Sequence, residues 1–318
     1  MMFTALAITM LGLFLFSSVP VHAGSPGDPS GGPFDWAPFG TSGPFPISND
    51  LFATFQLISQ YAAAAYCPDN NDSPDTPLTC PTGNCPLVEA AGGTTLSEFE
   101  DTAKFDDTGY IAIDPTNHLI VLAIRGSVSK ANWHADWDML RVDVDWCPDC
   151  RIHRGFRNSW HEVSHAVTEN MRKAVDTHPD YRIVVTGHSL GGAVATIAAA
   201  ELRRLDARFA ARTELYTFGS PRVANEEAAR WLSDQSHFSW RVTNENDLVP
   251  RLPPRVLGYH HMEPEYWIAQ NGSKSTADDV VWSAREDSSW GNEGMVFPSR
   301  EAHHRYFGAI SACSPDDD

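Results

Sequence analysis

Gly187-His188-Ser189-Leu190-Gly191 sets a serine two residues from a glycine on either side. A β-branched run ends just before it, at Thr186, and an alanine-rich stretch of good helix formers follows. A chain that passes from strand to helix over so few residues must turn sharply. Glycines at those two positions remove the Cβ atoms that would collide where strand meets helix. Such a turn pushes the Ser189 hydroxyl out at the C-terminal edge of a sheet. It also aims the backbone N–H of Leu190 at the same point, at the positive end of the helix. A nucleophile and half an oxyanion hole thus come from one turn, which is equipment for attack on a carbonyl carbon. The plainer alternative is a glycine-lined turn holding an incidental serine. The strand before it and the helix after it favour the nucleophile.

A serine hydroxyl attacks poorly until a base removes its proton, and this arrangement expects an acid and then a histidine later in the chain. Trp240-Arg-Val-Thr243 reads as a strand, and the loop Asn244-Glu-Asn-Asp247-Leu-Val-Pro250 puts Asp247 at the same sheet edge. Its bland counterpart is a turn aspartate bonded to its own backbone. Four histidines follow Asp247. His260 and His261 stand close behind it and read as structural polar contacts. His303 and His304 lie in the late segment ending at Tyr306-Phe-Gly308, and chain order does not choose between them.

These residues need a scaffold. Asn49-Asp50 predict the cap of a helix from Leu51 to Tyr66, with Leu51, Phe55, Ile58 and Tyr61 near one face. A loop from Pro68 to Pro86 follows. Gly109 to Asp114 and His118 to Arg125 read as strands around a turn at Pro115-Thr-Asn117. Asn158 to Thr177 reads as a helix, Tyr181 to Thr186 as a strand and Leu190 to Leu205 as a helix. Thr213 to Phe218, Trp240 to Thr243 and Glu265 to Ile268 complete the strands. The alternation predicts an α/β fold with a largely parallel sheet wrapped in helices, in a single domain over 49–318.

Residues 1–23 read as a signal peptide. Phe3 to Phe16 is an apolar run shorter than the roughly 20 residues a bilayer span requires, and Val21-His22-Ala23 suits cleavage. Gly24 to Ser48, rich in Gly, Pro and Ser, reads as a propeptide or flexible arm. No later segment is long and apolar enough to span. The 41 acidic and 23 basic residues give a net charge of −18, which repels nucleic-acid phosphates and anionic headgroups but not neutral lipid; the plainer reading, that it keeps a secreted chain soluble, is favoured. In a secreted chain the cysteines read as disulfides rather than metal ligands. Proximity suggests Cys80–Cys85 and Cys147–Cys150, leaving Cys67 with Cys313. Asn271-Gly-Ser273 and, more weakly, Asn71-Asp-Ser73 are glycosylation sequons.

With these segments in view the chain resembles the secreted triacylglycerol lipases of filamentous fungi, the class 3 lipases, with the Thermomyces-type members nearest in motif. The resemblance runs from about Leu51 to Cys313. It rests on Ala65-Tyr66-Cys67, Ile124-Arg-Gly-Ser127 with Asn132-Trp133, His178-Pro-Asp-Tyr181, the Gly187 turn, Asp247-Leu-Val-Pro-Arg-Leu-Pro-Pro254, Pro264-Glu-Tyr-Trp-Ile268, and His303 with Tyr306-Phe-Gly308. It implies an α/β-hydrolase fold with a short helical lid. It implies Ser189 as nucleophile, Asp247 as acid, and His303 rather than His304 as base. It further implies Ser127 and Leu190 as oxyanion donors, Trp133 on the lid, and Tyr66 and His188 on the substrate side. The pairing of the cysteines fits it. The implied activity needs no cofactor or metal, and its partner is a lipid ester at a lipid–water interface.

The lid segment departs from the Thermomyces type, carrying His134, Asp136, Trp137 and Asp138. Asp136 stands where a Rhizomucor-type lid has an aspartate that can hold the oxyanion serine. Ser273 to Ser299 has no counterpart by motif. A feruloyl or other carboxylesterase on the same fold, or a phospholipase A1, is the alternative. Ser127, a threonine in feruloyl esterases, and Asn132-Trp133 stand against the esterase. A lipid-binding protein without catalysis would need an inert residue at a triad position, and none is inert.

Overall fold

The computed structural model describes residues 45–71, 73–100, 102, 105, 107–127, 139–235, 238–270, 272–284 and 290–314. The signal-peptide reading, the first part of the expected arm, residues 128–138 of the lid with Trp133 and Asp136, and Asn271 lie outside them.

In chain order the elements are β1 (Phe45–Pro46), α1 (Asn49–Ala64), α2 (Pro86–Ala91), β2 (Thr94–Phe99), β3 (Gly109–Asp114), β4 (Leu119–Ile124), β5 (Arg141–Asp143) and β6 (Arg151–His153). They continue with α3 (Arg154–Thr177), β7 (Arg182–His188), α4 (Leu190–Arg203), α5 (Ala207–Ala210), β8 (Thr213–Phe218), α6 (Glu226–Ser233), β9 (Ser239–Asn244), β10 (Glu265–Ile268) and β11 (Val280–Ser283). The main sheet runs β1-β11-β10-β9-β8-β7-β4-β3-β2. Its five middle strands, β4, β7, β8, β9 and β10, are mutually parallel, and the strands outside them pair antiparallel. β5 and β6 form a separate two-stranded ribbon.

Coverage of both faces explains why the central strands read as continuous apolar runs. Along β4, Ile120, Leu122 and Ile124 join the core beneath α3 and α4, whereas Leu119, Val121 and Ala123 join the core beneath α1. Neighbouring β7 splits likewise, Ile183 and Val185 to one side and Val184 to the other. Helix α3 buries Phe156, Trp160, Val163, Val167, Met171 and Ala174, a stripe at three- and four-residue spacing. Helix α4 lies between the sheet and α3 and is buried almost all round. Its alanines leave room for that close approach.

The antiparallel margins were less visible. Phe45 and Pro46 fall within the stretch expected to be an arm, yet they pair with Trp282 and Val281 of β11. Order therefore begins before Asn49. The cap of α1 is Ser48, whose side chain accepts from Leu51 N at 3.2 Å, rather than the Asn49-Asp50 pair. Helix α3 begins four residues before the expected Asn158, capped by His153 Nδ1 accepting from Phe156 N. Three disulfides, Cys67–Cys313, Cys80–Cys85 and Cys147–Cys150, close the structure, the first joining the chain just past α1 to the late residues. Among the described residues no helix is long and apolar enough to cross a membrane.

Candidate active site

The sheet ends where the chemistry gathers. Ser127 follows β4, Ser189 follows β7 and Asp247 follows β9, all at the C-terminal edge of parallel strands, where open α/β sheets bind ligands. Ser189 occupies the β7–α4 joint with φ 58° and ψ −130°, a conformation that costs energy for any residue with a side chain. Its N–H donates to Phe218 O at 2.9 Å. The two flanking glycines are needed for the reason the sequence suggests. A Cβ on Gly187 would lie 2.5 Å from the Gly191 carbonyl, and one on Gly191 would lie 2.2 Å from Ile124 O.

Ser189 Oγ lies 2.8 Å from His303 Nε2, and His303 Nδ1 lies 2.8 Å from Asp247 Oδ2. A carboxylate can only accept, so Nδ1 carries the proton and Nε2 is bare, facing the serine hydroxyl. His303 sits in a 3-10 turn, Glu301–His304, and is nearly buried. His304, its neighbour, turns away to Ser311 Oγ at 2.7 Å. Asp247 is fully buried and receives two further donors, Tyr306 Oη at 2.5 Å on Oδ2 and Val249 N at 2.9 Å on Oδ1. Those donors matter because a buried charge without partners is expensive. The Tyr306 hydroxyl is pushed well above its ordinary range, by burial first and then by the Asp247 charge, so it stays a donor.

Behind His303 lies a second layer. His188 Nε2 faces the His303 backbone carbonyl at 2.8 Å, so it must donate, and Nδ1 accepts from Tyr66 Oη at 2.8 Å. Burial holds the His188 imidazole well below its ordinary pKa, helped by the adjacent His303, so it stays neutral. Both Tyr66 and His188 are buried, with their polar atoms turned to each other and to His303.

Ser127 is exposed and Leu190 is half-buried. Gly126 brings the chain before Ser127 against the nucleophile, since a Cβ there would lie 3.0 Å from Ser189 Cβ. His261 is buried away from these residues, its Nε2 donating to Pro250 O at 2.7 Å. Asn71 is 3% exposed, and its amide donates to Ala65 O at 3.3 Å.

Three residues were missed. Tyr306 carried no chemical signal beyond its place in a motif. Asn292 donates through Nδ2 to Asp247 O at 2.8 Å from a stretch without any motif. Gly219, at φ 61°, follows β8; a Cβ there would lie 2.9 Å from Tyr306 Oη, 3.0 Å from Asp247 Oδ2 and 3.1 Å from His303 Cε1. A glycine directly after a strand, before Ser220-Pro221, was the available clue to a turn.

The family described as Lipase (class 3) matches residues 121–257, and Lipase 3 N-terminal region matches 32–97. The secreted mono- and diacylglycerol lipase A of Penicillium cyclopium is 39% identical over 272 residues, covering 84% of this chain and 88% of that protein. The secreted mono- and diacylglycerol lipase 1 of Fusarium solani is 36% identical over 273 residues, covering 85% and 80%. The crystal structure of the mono- and diacylglycerol lipase from Aspergillus oryzae superposes with a TM-score of 0.78 at 36% identity, over 84% of this chain and 100% of that one.

Proposed function

The chain belongs to the class 3 lipase family, and from that premise we propose a residue-by-residue mechanism for its site. It is a secreted serine hydrolase that cleaves the carboxylic ester bonds of acylglycerols, triacylglycerols among them. Ser189 Oγ attacks the ester carbonyl while His303 Nε2 takes its proton. Asp247 fixes the His303 tautomer and stabilises the imidazolium that forms. The N–H groups of Ser127 and Leu190 receive the negative oxygen of the tetrahedral intermediate; one such donor is typically worth about 10²–10³ in kcat. His303 then protonates the departing glycerol oxygen, and the acyl group remains on Ser189. Water, deprotonated by His303, releases the fatty acid. The observation that carries this reading is the unbroken chain Ser189 Oγ–His303–Asp247, with 2.8 Å at each link.

In this reading Tyr66 and His188 act one layer behind the reacting atoms, through the His303 backbone. Trp133 and Asp136 keep the lid role that the resemblance implies, over 128–140. The test is fatty-acid release from tributyrin, raised through its solubility limit, and from a diacylglycerol and methyl ferulate in parallel. Acylglycerol turnover that steps up on emulsion formation and vanishes in Ser189→Ala is the expected result. Methyl ferulate turnover without acylglycerol turnover would replace the lipase reading with an esterase.

A further inference from the structure

Helix α3 carries two histidines that the acyl-transfer chemistry does not use. His161-Glu162-Val163-Ser164-His165 has the spacing that sets two imidazoles on one helix face, one turn apart. That is how a helix offers two ligands to one metal ion. Both histidines lie well inside α3, so a formed helix holds their spacing, while Val163 between them turns into the core.

A third group comes from another element. Glu201, in the last turn of α4, brings Oε1 to 3.3 Å from His161 Nε2. Its other oxygen, Oε2, accepts from Trp160 Nε1 at 2.7 Å, and Trp160 is buried. The carboxylate is therefore held with Oε1 aimed at the histidine, as the outer partners of a metal site hold its ligands. Zinc binds imidazole nitrogen and carboxylate oxygen at about 2.0–2.2 Å, so two ligands at the tetrahedral angle stand about 3.4 Å apart. His161 and Glu201 already stand at the length of that edge. His165 has an 87% exposed side chain, and its partner Glu169 lies 3.9 Å away, Nε2 to Oε1, so no packing opposes its turning toward His161.

The simpler alternative is two surface ion pairs, His161–Glu201 and His165–Glu169, which contribute little. An ion pair, however, requires neither the second histidine one turn on nor a carboxylate pinned from behind by a buried tryptophan. We propose that His161, His165 and Glu201 form a zinc site that clips α3 to α4. Two imidazoles and a carboxylate suit zinc and its transition-metal neighbours, not calcium or magnesium, which take oxygen ligands. Water fills the fourth position, and the net charge of −18 draws cations to the surface. Glu201 is twelve residues along α4 from Ser189, roughly 18 Å, so the site stands apart from the triad and does not depend on the lipase reading.

The test uses the full-length protein, freed of metal with a chelator and titrated with zinc chloride by calorimetry. One ion per chain is expected. His161→Gln, His165→Gln and Glu201→Gln should each weaken binding about 100-fold, no less than the loss of groups that merely orient ligands. Glu201→Gln keeps an acceptor for Trp160. Zinc at about 100 times its Kd should raise the melting temperature by roughly 4 °C in the parent and not in the variants. Cobalt(II) in place of zinc should show the strong visible absorption of a tetrahedral ion. Binding that all three substitutions leave unchanged would place the ion elsewhere and overturn the proposal, as would no binding at all. Binding lost in the histidine variants but kept in Glu201→Gln would confine the site to α3 and overturn the clip. Melting without zinc checks that each variant folds; if Glu201→Gln does not, the weak absorption of an octahedral cobalt ion in the parent would overturn it instead.

Discussion

Gly191→Ala sets two effects of opposite sign against each other. Gly191 is the second residue of α4, and alanine is favoured over glycine in a helix by about 1 kcal/mol. On propensity alone the variant would be more stable. The space says otherwise: the new Cβ would lie 2.2 Å from Ile124 O, 2.6 Å from Arg125 O and 2.7 Å from Arg125 C. These are backbone atoms at the end of β4, and no side-chain rotation relieves them. The nearest is short of ordinary van der Waals contact by about 1 Å, so the β4 end must withdraw from α4 by that much. Overpacking of this kind typically costs about 1–3 kcal/mol, which outweighs the helix gain. The segment displaced leads directly to Gly126 and Ser127, so the proposed oxyanion donors, Ser127 and Leu190, would separate. A misplacement of about 1 Å in a catalytic array is worth roughly 10² in rate. We expect kcat on p-nitrophenyl butyrate to fall about 100-fold and the melting temperature to fall by about 5 °C. Gly308→Ala, with nothing within 4 Å of its Cβ, is the control and should behave as the parent. A Gly191→Ala protein that keeps the parent rate and melts at or above the parent temperature would refute the steric argument for the turn.

Tyr306→Phe removes a buried donor to the Asp247 carboxylate, and should cost about 1.5–3 kcal/mol in urea unfolding because the bond is to a charged group. Burial holds the imidazoles of His188 and His261 well below 6.5 in the folded chain, whereas the unfolded chain binds protons near 6.5. Their contribution is therefore intact above about pH 6.5 and is lost as pH falls below it, by up to about 1.4 kcal/mol per pH unit for each histidine. Unfolding titrations from pH 7.5 to 5 should show that slope, and His261→Gln should reduce it; a flat profile would contradict the burial argument. Replacing both Cys67 and Cys313 by serine opens a loop of 246 residues and should cost about 2–5 kcal/mol. The same change at Cys147 and Cys150, three residues apart, should cost clearly less in the same calorimetric comparison.

The middle of the sheet was legible because its physics is local. β4 and β7 are apolar on both faces, and α3 carries its stripe at helical spacing. The margins depend on distant partners. Phe45-Pro46 is a strand only because β11 lies beside it, and nothing within two residues announces that. The ribbon β5–β6 consists of two three-residue strands on either side of the Cys147–Cys150 bridge, too short for a period-two pattern to register. Helix α2 did carry its marks, Pro86 at the start and Gly92 at φ 70° just after the end, but it is only six residues long and borders a loop rich in proline and cysteine.

The site divides similarly. Ser189 is announced by a turn whose stereochemistry is written in its own five residues, and Asp247 by its place after a strand. The choice between His303 and His304 is made by the direction of one 3-10 turn, which no spacing encodes; the sequence favoured His303 only by resemblance. Tyr306, Asn292 and Gly219 act through contacts with residues far away in the chain, so their roles appear only when the strands are assembled.

The central claim is that Ser189 is the activated nucleophile of this lipase. The most direct measurement is mass spectrometry of the protein after reaction with a fluorophosphonate, with the adduct located by peptide mapping. One adduct per chain is expected, on the peptide containing Ser189. It should be absent in Ser189→Ala and strongly slowed in His303→Ala, where the proton acceptor is gone. An adduct on a different serine, or a protein that hydrolyses acylglycerols yet takes no label at Ser189, would contradict it.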